Sequence, residues 1–248
     1  MINIYSEKEI KIIREGGKIL AKVIKKVSQC AKMGVATEDL DKVATDLIFK
    51  YNAEPSFRGF NNYPATLCVS INEDIVHGVP SKRKLKPGDI LTLDLGLKYK
   101  DYFSDMAITV ILGKADKKVR KLMKVTKKSL DLAIKQAKVG NHLGDIGFAI
   151  QSYVEKNGFN VVRELIGHGV GKKVHEAPEI PNFGEKGEGV ELKEGMVLAI
   201  EPMVSMGDWR IERSKDGFAY KTIDNSLSAH FEHTVAITKK GPKILTKT

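Results

Sequence analysis

Two aspartates stand in apolar surroundings, where an ionised side chain needs a partner. Asp94 is flanked by leucines on both sides, and Asp105 directly precedes the mostly apolar run 106–110. A buried carboxylate is costly unless it is paired or bound to a metal. If the chain forms a hairpin that turns at Tyr99 and Lys100, residues whose numbers sum to 199 lie opposite each other, as the two aspartates do. They would then repel each other unless a cation lies between them; the alternative is an ordinary hairpin with one aspartate at an exposed edge.

Three residues in the second half of the chain could complete a metal site. His168 lies among the glycines of 166–171. Glycines let a backbone approach a ligand closely, but this segment fits neither the P-loop nor the dinucleotide-binding pattern. Glu201 ends one apolar segment, and Glu232 precedes another. Each of these residues taken alone is more often structural than functional.

Taken together, the five residues form a donor set of four carboxylates and one imidazole. Such donors suit divalent cations such as manganese, iron(II) and cobalt. Five ligands are enough for two ions if carboxylates bridge them, and two-metal sites hold the ions roughly 3.5–4 Å apart. The predicted ligands are Asp94, Asp105, His168, Glu201 and Glu232.

The composition is that of an ordinary globular chain. Of the 248 residues, 42% are hydrophobic and 29% are charged, which excludes a disordered protein. No apolar run reaches the length of a membrane span, and the first eight residues are too mixed in charge for a signal peptide. Cys30 and Cys68 form neither a metal-ligand pair nor a disulfide framework, so we expect a cytoplasmic protein. We expect a single domain over 1–248.

Helical and strand-like segments alternate in blocks. Ser6 and Glu9 form the pattern of a capping box, and apolar residues at three-four spacing predict a helix that ends at Met33–Gly34. A second helix follows Thr37. A second helix pair is predicted at 119–137 and 146–154, and strands are predicted at 67–71, 90–95, 103–112, 196–200 and 233–237.

The order of two helices followed by strands occurs twice. A shift of 106 residues aligns Ala-Lys-Met-Gly at 31–34 with Ala-Lys-Val-Gly at 137–140, and it pairs Asp39 with Asp145. Two similar halves would explain this match, and a site between them would take ligands from both. Chance similarity between amphipathic helices explains it equally well.

Several motifs surround the candidate ligands. In chain order they are Ser70-Ile71-Asn72-Glu73, His77-Gly78-Val79-Pro80, Lys86-Pro87-Gly88-Asp89, Gly167-His168-Gly169-Val170-Gly171, His175-Glu176-Ala177-Pro178 and Glu201-Pro202. With the five ligands, they resemble the type I methionine aminopeptidases of peptidase family M24, in particular the bacterial members, over nearly the whole chain. The resemblance implies the pita-bread fold, an α+β architecture with two pseudo-symmetric halves around a curved antiparallel sheet.

The same resemblance implies an activity and several residue roles. It implies removal of the initiator methionine from nascent proteins with a small second residue, by a monomer that holds two divalent ions (Co²⁺, Mn²⁺, Fe²⁺ or Zn²⁺). Glu201 would be both ligand and proton shuttle. His175 resembles the histidine that stabilises the oxyanion, and His77 resembles the one that contacts the nitrogen side of the scissile peptide. Asn72 and Ser228 resemble residues near a monovalent cation site.

The methionine pocket should be apolar, because recognition of a thioether rests on packing. By position, Tyr63, Cys68 and Phe218 resemble its walls, with Phe57 and Phe60 nearby. This sequence departs from the commoner bacterial pattern here. Phe57 stands where a cysteine is frequent, Phe60 where a tyrosine is frequent, and Phe218 where a tryptophan is frequent. The departures change the shape of the pocket that we expect, not the reaction.

A basic segment lies outside these motifs, in a chain of net charge +10. It contains a single acid, Asp116, and its cations are Lys114, Lys117, Lys118, Arg120, Lys121, Lys124, Lys127 and Lys128. A charged helix face is usually only a solvated surface. Alternatively, these cations could hold the protein weakly on ribosomal RNA, where initiator methionines emerge.

Two other functions remain open from the sequence. A related metallopeptidase that cuts beside proline shares the five ligands, although such relatives usually carry a further N-terminal domain. A binding protein on the same fold would have lost one or more ligands, whereas all five are present here.

Overall fold

Four helices form the outer layer of the computed structural model, which describes all 248 residues. They are α1 (Glu7–Cys30), α2 (Thr37–Lys50), α3 (Lys117–Gln136) and α4 (Leu143–Lys156). The predicted capping box is confirmed: the Glu9 backbone N–H donates to Ser6 Oγ at 3.4 Å, and the Ser6 backbone N–H donates to Glu9 Oε2 at 2.9 Å. Helix α1 ends at Cys30, before the predicted Met33–Gly34, because the backbone already leaves the helical conformation at Ala31, with ψ 87°; the turn at Gly34, with φ 85°, follows. No helix combines the length and apolarity needed to cross a membrane.

The structure contains the internal repeat. The shift of 106 residues carries α2 onto α4 at both ends, and it carries the last residue of α1 onto the last residue of α3. Gly34 and Gly140, which the same shift aligns, have φ angles of 85° and 86°. One buried cluster of 20 residues lies beneath α1 and α2, and another of 22 residues lies beneath α3 and α4. Two similar halves, not chance similarity, therefore explain the sequence match.

Fifteen strands, all paired antiparallel, form the inner layer. In chain order they are β1 (Glu54–Pro55), β2 (Leu67–Ile71), β3 (Asp74–Val76), β4 (Ile90–Tyr99), β5 (Tyr102–Ile111), β6 (Asn160–Val161), β7 (Gly167–Gly169), β8 (Glu176–Ile180), β9 (Val197–Ile200), β10 (Met203–Ser205), β11 (Ile211–Arg213), β12 (Tyr220–Thr222), β13 (Ser228–His230), β14 (His233–Thr238) and β15 (Gly241–Ile244). In the first half, β4 pairs with β1, β2 and β5. In the second half, the order is β15-β14-β9-β7-β8. Two three-stranded groups, β13-β10-β6 and β11-β12-β3, complete an α+β architecture.

The hairpin of β4 and β5 turns one residue later than predicted. Tyr99 pairs with Tyr102, so the two turn residues are Lys100 and Asp101, whose φ angles are 48° and 64°. Two successive residues with positive φ give the turn twist that suits a tight antiparallel hairpin. The predicted register, in which numbers sum to 199, is therefore wrong.

The correct register places the two aspartates diagonally. Asp94 lies opposite Ala107, and Asp105 lies opposite Gly96. Because side chains alternate along a strand, Asp94 and Gly96 point to the same face, and Asp105 lies on that face as well. The carboxylates are therefore neighbours without standing directly opposite each other, and the residue beside Asp105 has no side chain.

Candidate metal centre

The five predicted ligands converge where the two halves of the chain meet. The ligand atoms of Asp94, Asp105 and Glu232 all lie within 4.8 Å of one another, and so do those of His168, Glu201 and Glu232. Glu232 belongs to both groups. The first half of the chain supplies the two aspartates, and the second half supplies the other three residues.

Hydrogen bonds between Thr234 and the backbone of Asp105 join the two halves at this point. The Asp105 backbone N–H donates to Thr234 Oγ1 at 2.9 Å, and this hydroxyl donates back to the Asp105 carbonyl at 2.8 Å. The Glu232 backbone N–H donates to the Ala107 carbonyl at 3.0 Å. These bonds bring the start of β14 against β5, so Glu232 reaches the aspartates of the other half.

Close approach of β7 and β9 places His168 beside Glu201. His168 pairs with Ala199 across the sheet. A Cβ atom on Gly167 would lie 2.4 Å from the Ala199 carbonyl oxygen, so only glycine fits there. The glycine pattern of 166–171 thus serves strand packing that positions the imidazole.

The hydrogen bond of His168 fixes which nitrogen faces the carboxylates. Its Nδ1 lies 2.9 Å from the Gly169 carbonyl oxygen, which can only accept, so the proton is on Nδ1. Its Nε2 lies 3.5 Å from Glu201 Oε1 and 4.0 Å from Asp105 Oδ2. Burial, with the neighbouring His175, lowers the pKa of His168 to about 3. The lone pair on Nε2 therefore faces two carboxyl groups, an arrangement that a cation stabilises.

The four carboxylates are buried close together without enough hydrogen-bond partners, which also favours a bound cation. Asp94 Oδ1 and Glu232 Oε1 are buried without a hydrogen-bond partner. Burial, and then mutual repulsion within the group, raises the pKa values of Asp94, Glu201 and Glu232 well above their usual range. Burial raises the pKa of Asp105 to about 7. Four carboxylates and a neutral imidazole with its lone pair turned inward are a donor set that fits divalent metal ions.

The two predicted histidines stand at the rim of this cluster. The His175 ring lies 4.1 Å from the His168 ring, centroid to centroid, and makes an edge contact with Phe60 at 5.1 Å. His77 has a left-handed backbone with φ 59°, and its ring lies 6.0 Å from that of Tyr220. Desolvation by the surrounding protein lowers the pKa of His175, and burial lowers the pKa of His77 to about 4. Both rings are therefore neutral near pH 7.

A cavity of about 270 Å³ opens beside the carboxylates. All five predicted pocket residues line it, namely Phe57, Phe60, Tyr63, Cys68 and Phe218. The Tyr63 hydroxyl donates to the Gly78 carbonyl at 2.7 Å, and its ring packs edge-on against Phe218 at 5.6 Å. Cys68 pairs with Asp94 across β2 and β4, so it lies at the boundary between the apolar wall and the carboxylates.

The predicted monovalent-cation residues also come together. Ser228 Oγ lies 3.2 Å from the Asn72 carbonyl oxygen and 3.0 Å from that of Asp74. Asn72 has φ 62°, which directs its carbonyl oxygen toward the serine. Three oxygens thus meet at this point of the structure.

Several residues at the site carry no motif that marks them in the sequence, and three of them are charged or polar groups close to the carboxylates or lining the cavity. Arg213 and Tyr220 line the cavity from the β11-β12-β3 group, which joins segments distant in sequence. His230 is 1% exposed, and its Nε2 lies 3.4 Å from Glu201 Oε2. It precedes Glu232 by two positions, a spacing that puts both side chains on one side of an extended chain. That spacing was the available signal.

Comparison with known proteins agrees with this geometry. The family model described as metallopeptidase family M24 matches residues 11–239. The methionine aminopeptidase of Clostridium acetobutylicum is 47% identical over 247 residues, which are 99% of each chain. The crystal structure of methionine aminopeptidase from Thermotoga maritima superposes with a TM-score of 0.98 at 44% identity and covers 100% of both chains. The prolidase from Pyrococcus horikoshii OT3 superposes with a TM-score of 0.78 at 27% identity, and this chain covers 63% of it. The fold is the expected pita-bread fold, and the chain belongs to metallopeptidase family M24.

Proposed function

We propose that the protein is a metal-dependent aminopeptidase that removes the N-terminal methionine from proteins whose second residue is small. One observation carries this proposal: a cluster of carboxylates and imidazole opens directly into a small apolar cavity. With metal bound, the cluster would provide hydrolytic chemistry, and the apolar wall of the cavity would accept an apolar side chain. The similar proteins that carry the name methionine aminopeptidase support the same substrate.

Two divalent ions would be held by the five predicted ligands. Among the carboxylates, Asp105 and Glu232 each belong to two groups of converging ligand atoms, so they are the candidates for sharing between ions. Co²⁺, Mn²⁺, Fe²⁺ and Zn²⁺ all accept carboxylate and imidazole donors. When bound, such ions activate a water and polarise the scissile carbonyl. A monovalent ion near Asn72 and Ser228 remains part of the proposal.

Protein side chains would carry the protons and the developing charge. Glu201, whose pKa is raised by burial, can accept a proton from the attacking water and pass it to the leaving amine. A neutral imidazole still carries one N–H, so His175 can donate to the oxyanion and His77 can hydrogen-bond the nitrogen side of the peptide. The edge contact with Phe60 limits rotation of the His175 ring.

The pocket would select methionine by packing. Tyr63, Cys68 and Phe218 present an apolar wall with no charged group, which suits a flexible thioether side chain. Next to it, His77 and His175 line the rim of the cavity, where the second residue of the substrate would lie. A small second residue fits this position, whereas a long one would collide with the rim.

We further propose one catalytic domain over residues 1–248, which acts as a monomer in the cytoplasm. The site takes its ligands from both halves, so neither half alone has the complete set. The basic face of α3 would hold the enzyme weakly on ribosomes. All eight cations between Lys114 and Lys128, seven of which lie on α3, are exposed.

A panel of short peptides tests the reaction. We expect cleavage of Met-Ala-Ser and none of Ala-Pro dipeptides, which a prolidase would cut. Cleavage of the X-Pro substrates alone would replace the proposal with the rival peptidase. Failure to cut either substrate with metal bound would indicate a binding protein.

A further inference from the structure

His230 is a buried histidine whose backbone is fixed from the other half of the chain. It ends β13 and is 1% exposed. Its N–H donates to Thr109 Oγ1 at 3.0 Å, and the same hydroxyl donates to the His230 carbonyl at 2.5 Å. Thr109 Oγ1 also lies 2.9 Å from Thr92 Oγ1. These contacts fix the backbone of His230, and burial leaves its imidazole little room to move.

The imidazole of His230 lacks the partners that buried histidines usually have. Both Nδ1 and Nε2 are buried without a hydrogen bond of good geometry. Buried polar groups without partners are rare in native proteins and call for an explanation. The polar group beside this ring is the Glu201 carboxylate, with Nε2 3.4 Å from Oε2.

Glu201 therefore stands between two imidazoles. Its Oε1 lies 3.5 Å from His168 Nε2, and its Oε2 lies 3.4 Å from His230 Nε2. The two rings differ in where the proton can be. The Gly169 carbonyl holds the proton of His168 on Nδ1, whereas no acceptor lies at His230 Nδ1. The single proton of a neutral His230 ring gains a partner only on Nε2, facing Glu201 Oε2.

We propose that His230 is a positioning residue, which donates Nε2–H to Glu201 Oε2 and thereby leaves Oε1 for the metal centre. A small closing movement of the carboxylate shortens the 3.4 Å separation to an ordinary hydrogen bond. Direct ligation by His230 is disfavoured, because no third ligand atom lies within 4.8 Å of both this ring and Glu201. The inference rests on the proposed metal centre and adds to it a residue that the ligand set does not contain.

Metal affinity tests this role without any measurement of activity. The full chain, stripped with a chelator, is titrated with Mn²⁺ by calorimetry. Removing a hydrogen bond that orients a ligand typically weakens metal binding about 10–100-fold. We expect His230→Leu to raise the Kd by that factor, and His230→Gln, whose amide N–H can reach Oε2, to remain within a few-fold of the parent. His233→Leu is the matched control, because this half-buried ring bonds Thr246 and not a carboxylate, and its Kd should equal that of the parent.

Thermal unfolding separates positioning from packing. His230→Leu removes two unpaired polar atoms, so the metal-free Tm should not fall, while the rise in Tm on adding Mn²⁺ should shrink. If the leucine variant does not fold, His230→Asn replaces it, because the shorter amide cannot reach Oε2. A leucine variant that binds Mn²⁺ as tightly as the parent would overturn the role, and so would a glutamine variant as weak as leucine. If the unmodified protein bound no Mn²⁺, the proposed metal centre would be overturned, and the proposed role of His230 with it.

Discussion

The hydroxyl of Tyr5 donates a 2.7 Å hydrogen bond to the Glu176 carboxylate and accepts the Lys172 backbone N–H at 2.8 Å. The second oxygen of Glu176 accepts the Lys173 backbone N–H at 2.7 Å. Tyr5 therefore holds both Lys172 and Glu176, the two ends of the short loop that carries His175. The position of this histidine depends on a residue that lies outside the cavity.

We expect Tyr5→Phe to lower kcat for methionine release about 3–10-fold with little change in KM, because one hydrogen bond is worth about 1 kcal/mol. The ring and its edge contact with Tyr102 remain, so the change removes only the hydroxyl. Tyr102→Phe is the control, since that hydroxyl binds Glu9 at 2.8 Å on α1 instead of the loop. The kcat values are measured by steady-state kinetics. A parental kcat for Tyr5→Phe would show that the hydrogen bonds of the Tyr5 hydroxyl are not needed to position the loop.

His77 should act as a neutral group. Burial, and then the charges of His175 and Arg213, lower its pKa from 6.5 to about 4. The unfolded chain therefore takes up a proton as pH falls below 6.5, whereas the folded chain does so only near pH 4. The contribution of neutral His77 to stability is present above pH 6.5 and is lost as pH falls toward 4.

We expect His77→Asn to lower kcat/KM about 100-fold while keeping the shape of its pH profile between about pH 5.5 and 8. The profiles of both proteins are measured with Met-Ala-Ser under saturating metal. The contradicting result would be a fall in kcat/KM with an apparent pKa near 6.5 that is present in the parent and absent in the variant. It would show that His77 titrates during catalysis.

The apolar pocket should depend on Phe218. Phe218→Ala removes the ring that packs against Tyr63, and we expect kcat/KM for Met-Ala-Ser to fall roughly 10–200-fold. Phe148→Ala, at an exposed position of α4, is the control and should leave the kinetics unchanged. Equal kinetics for the two variants would place methionine recognition elsewhere.

The second residue of the substrate should be restricted by the histidine rim. We expect cleavage of Met-Ala-Ser and at least about 100-fold slower cleavage of Met-Arg-Ser, because a long side chain collides with fixed groups. The comparison uses kcat/KM for the two peptides at saturating metal. Similar values would show that this side of the cavity is open.

The basic face of α3 should matter only for ribosome association. Replacing Lys117, Lys118, Lys121 and Lys124 by Glu should abolish co-sedimentation with ribosomes at low salt and leave peptide cleavage intact. The control reverses the same number of charges on α1, the symmetry-related helix, at the exposed residues Lys18, Lys22, Lys25 and Lys26. If the parent and the α3 variant bound ribosomes equally well, the basic face of α3 would be only a solvated surface.

The sequence predicted the elements whose signals are local. The capping box at Ser6 and the three-four spacing of apolar residues identified α1, and the same kind of spacing identified the second helix pair. Carboxylates in apolar strands pointed to a site, because an unpartnered buried charge is too costly to be accidental. The five predicted ligands do come together in the structure.

Features that depend on long-range pairing could not be predicted in the same way. The hairpin register failed because Lys100 and Asp101 both adopt positive φ without a glycine to mark the turn. Tyr220 reaches the cavity by pairing with Val76, and no local pattern reports a pairing between strands so distant. The unpaired ring of His230 is visible only once its surroundings are known.

The most direct test of the account is the metal dependence of Met-Ala-Ser cleavage by the full chain. We expect a chelator to abolish release of methionine and Mn²⁺ or Co²⁺ to restore it, with activity rising up to about two equivalents of metal. Asp94→Asn, which keeps the shape of the side chain but removes the charge, should stay folded and lose most of the activity at every metal concentration. Full activity in excess chelator, or parental activity in Asp94→Asn, would contradict the proposed metal centre.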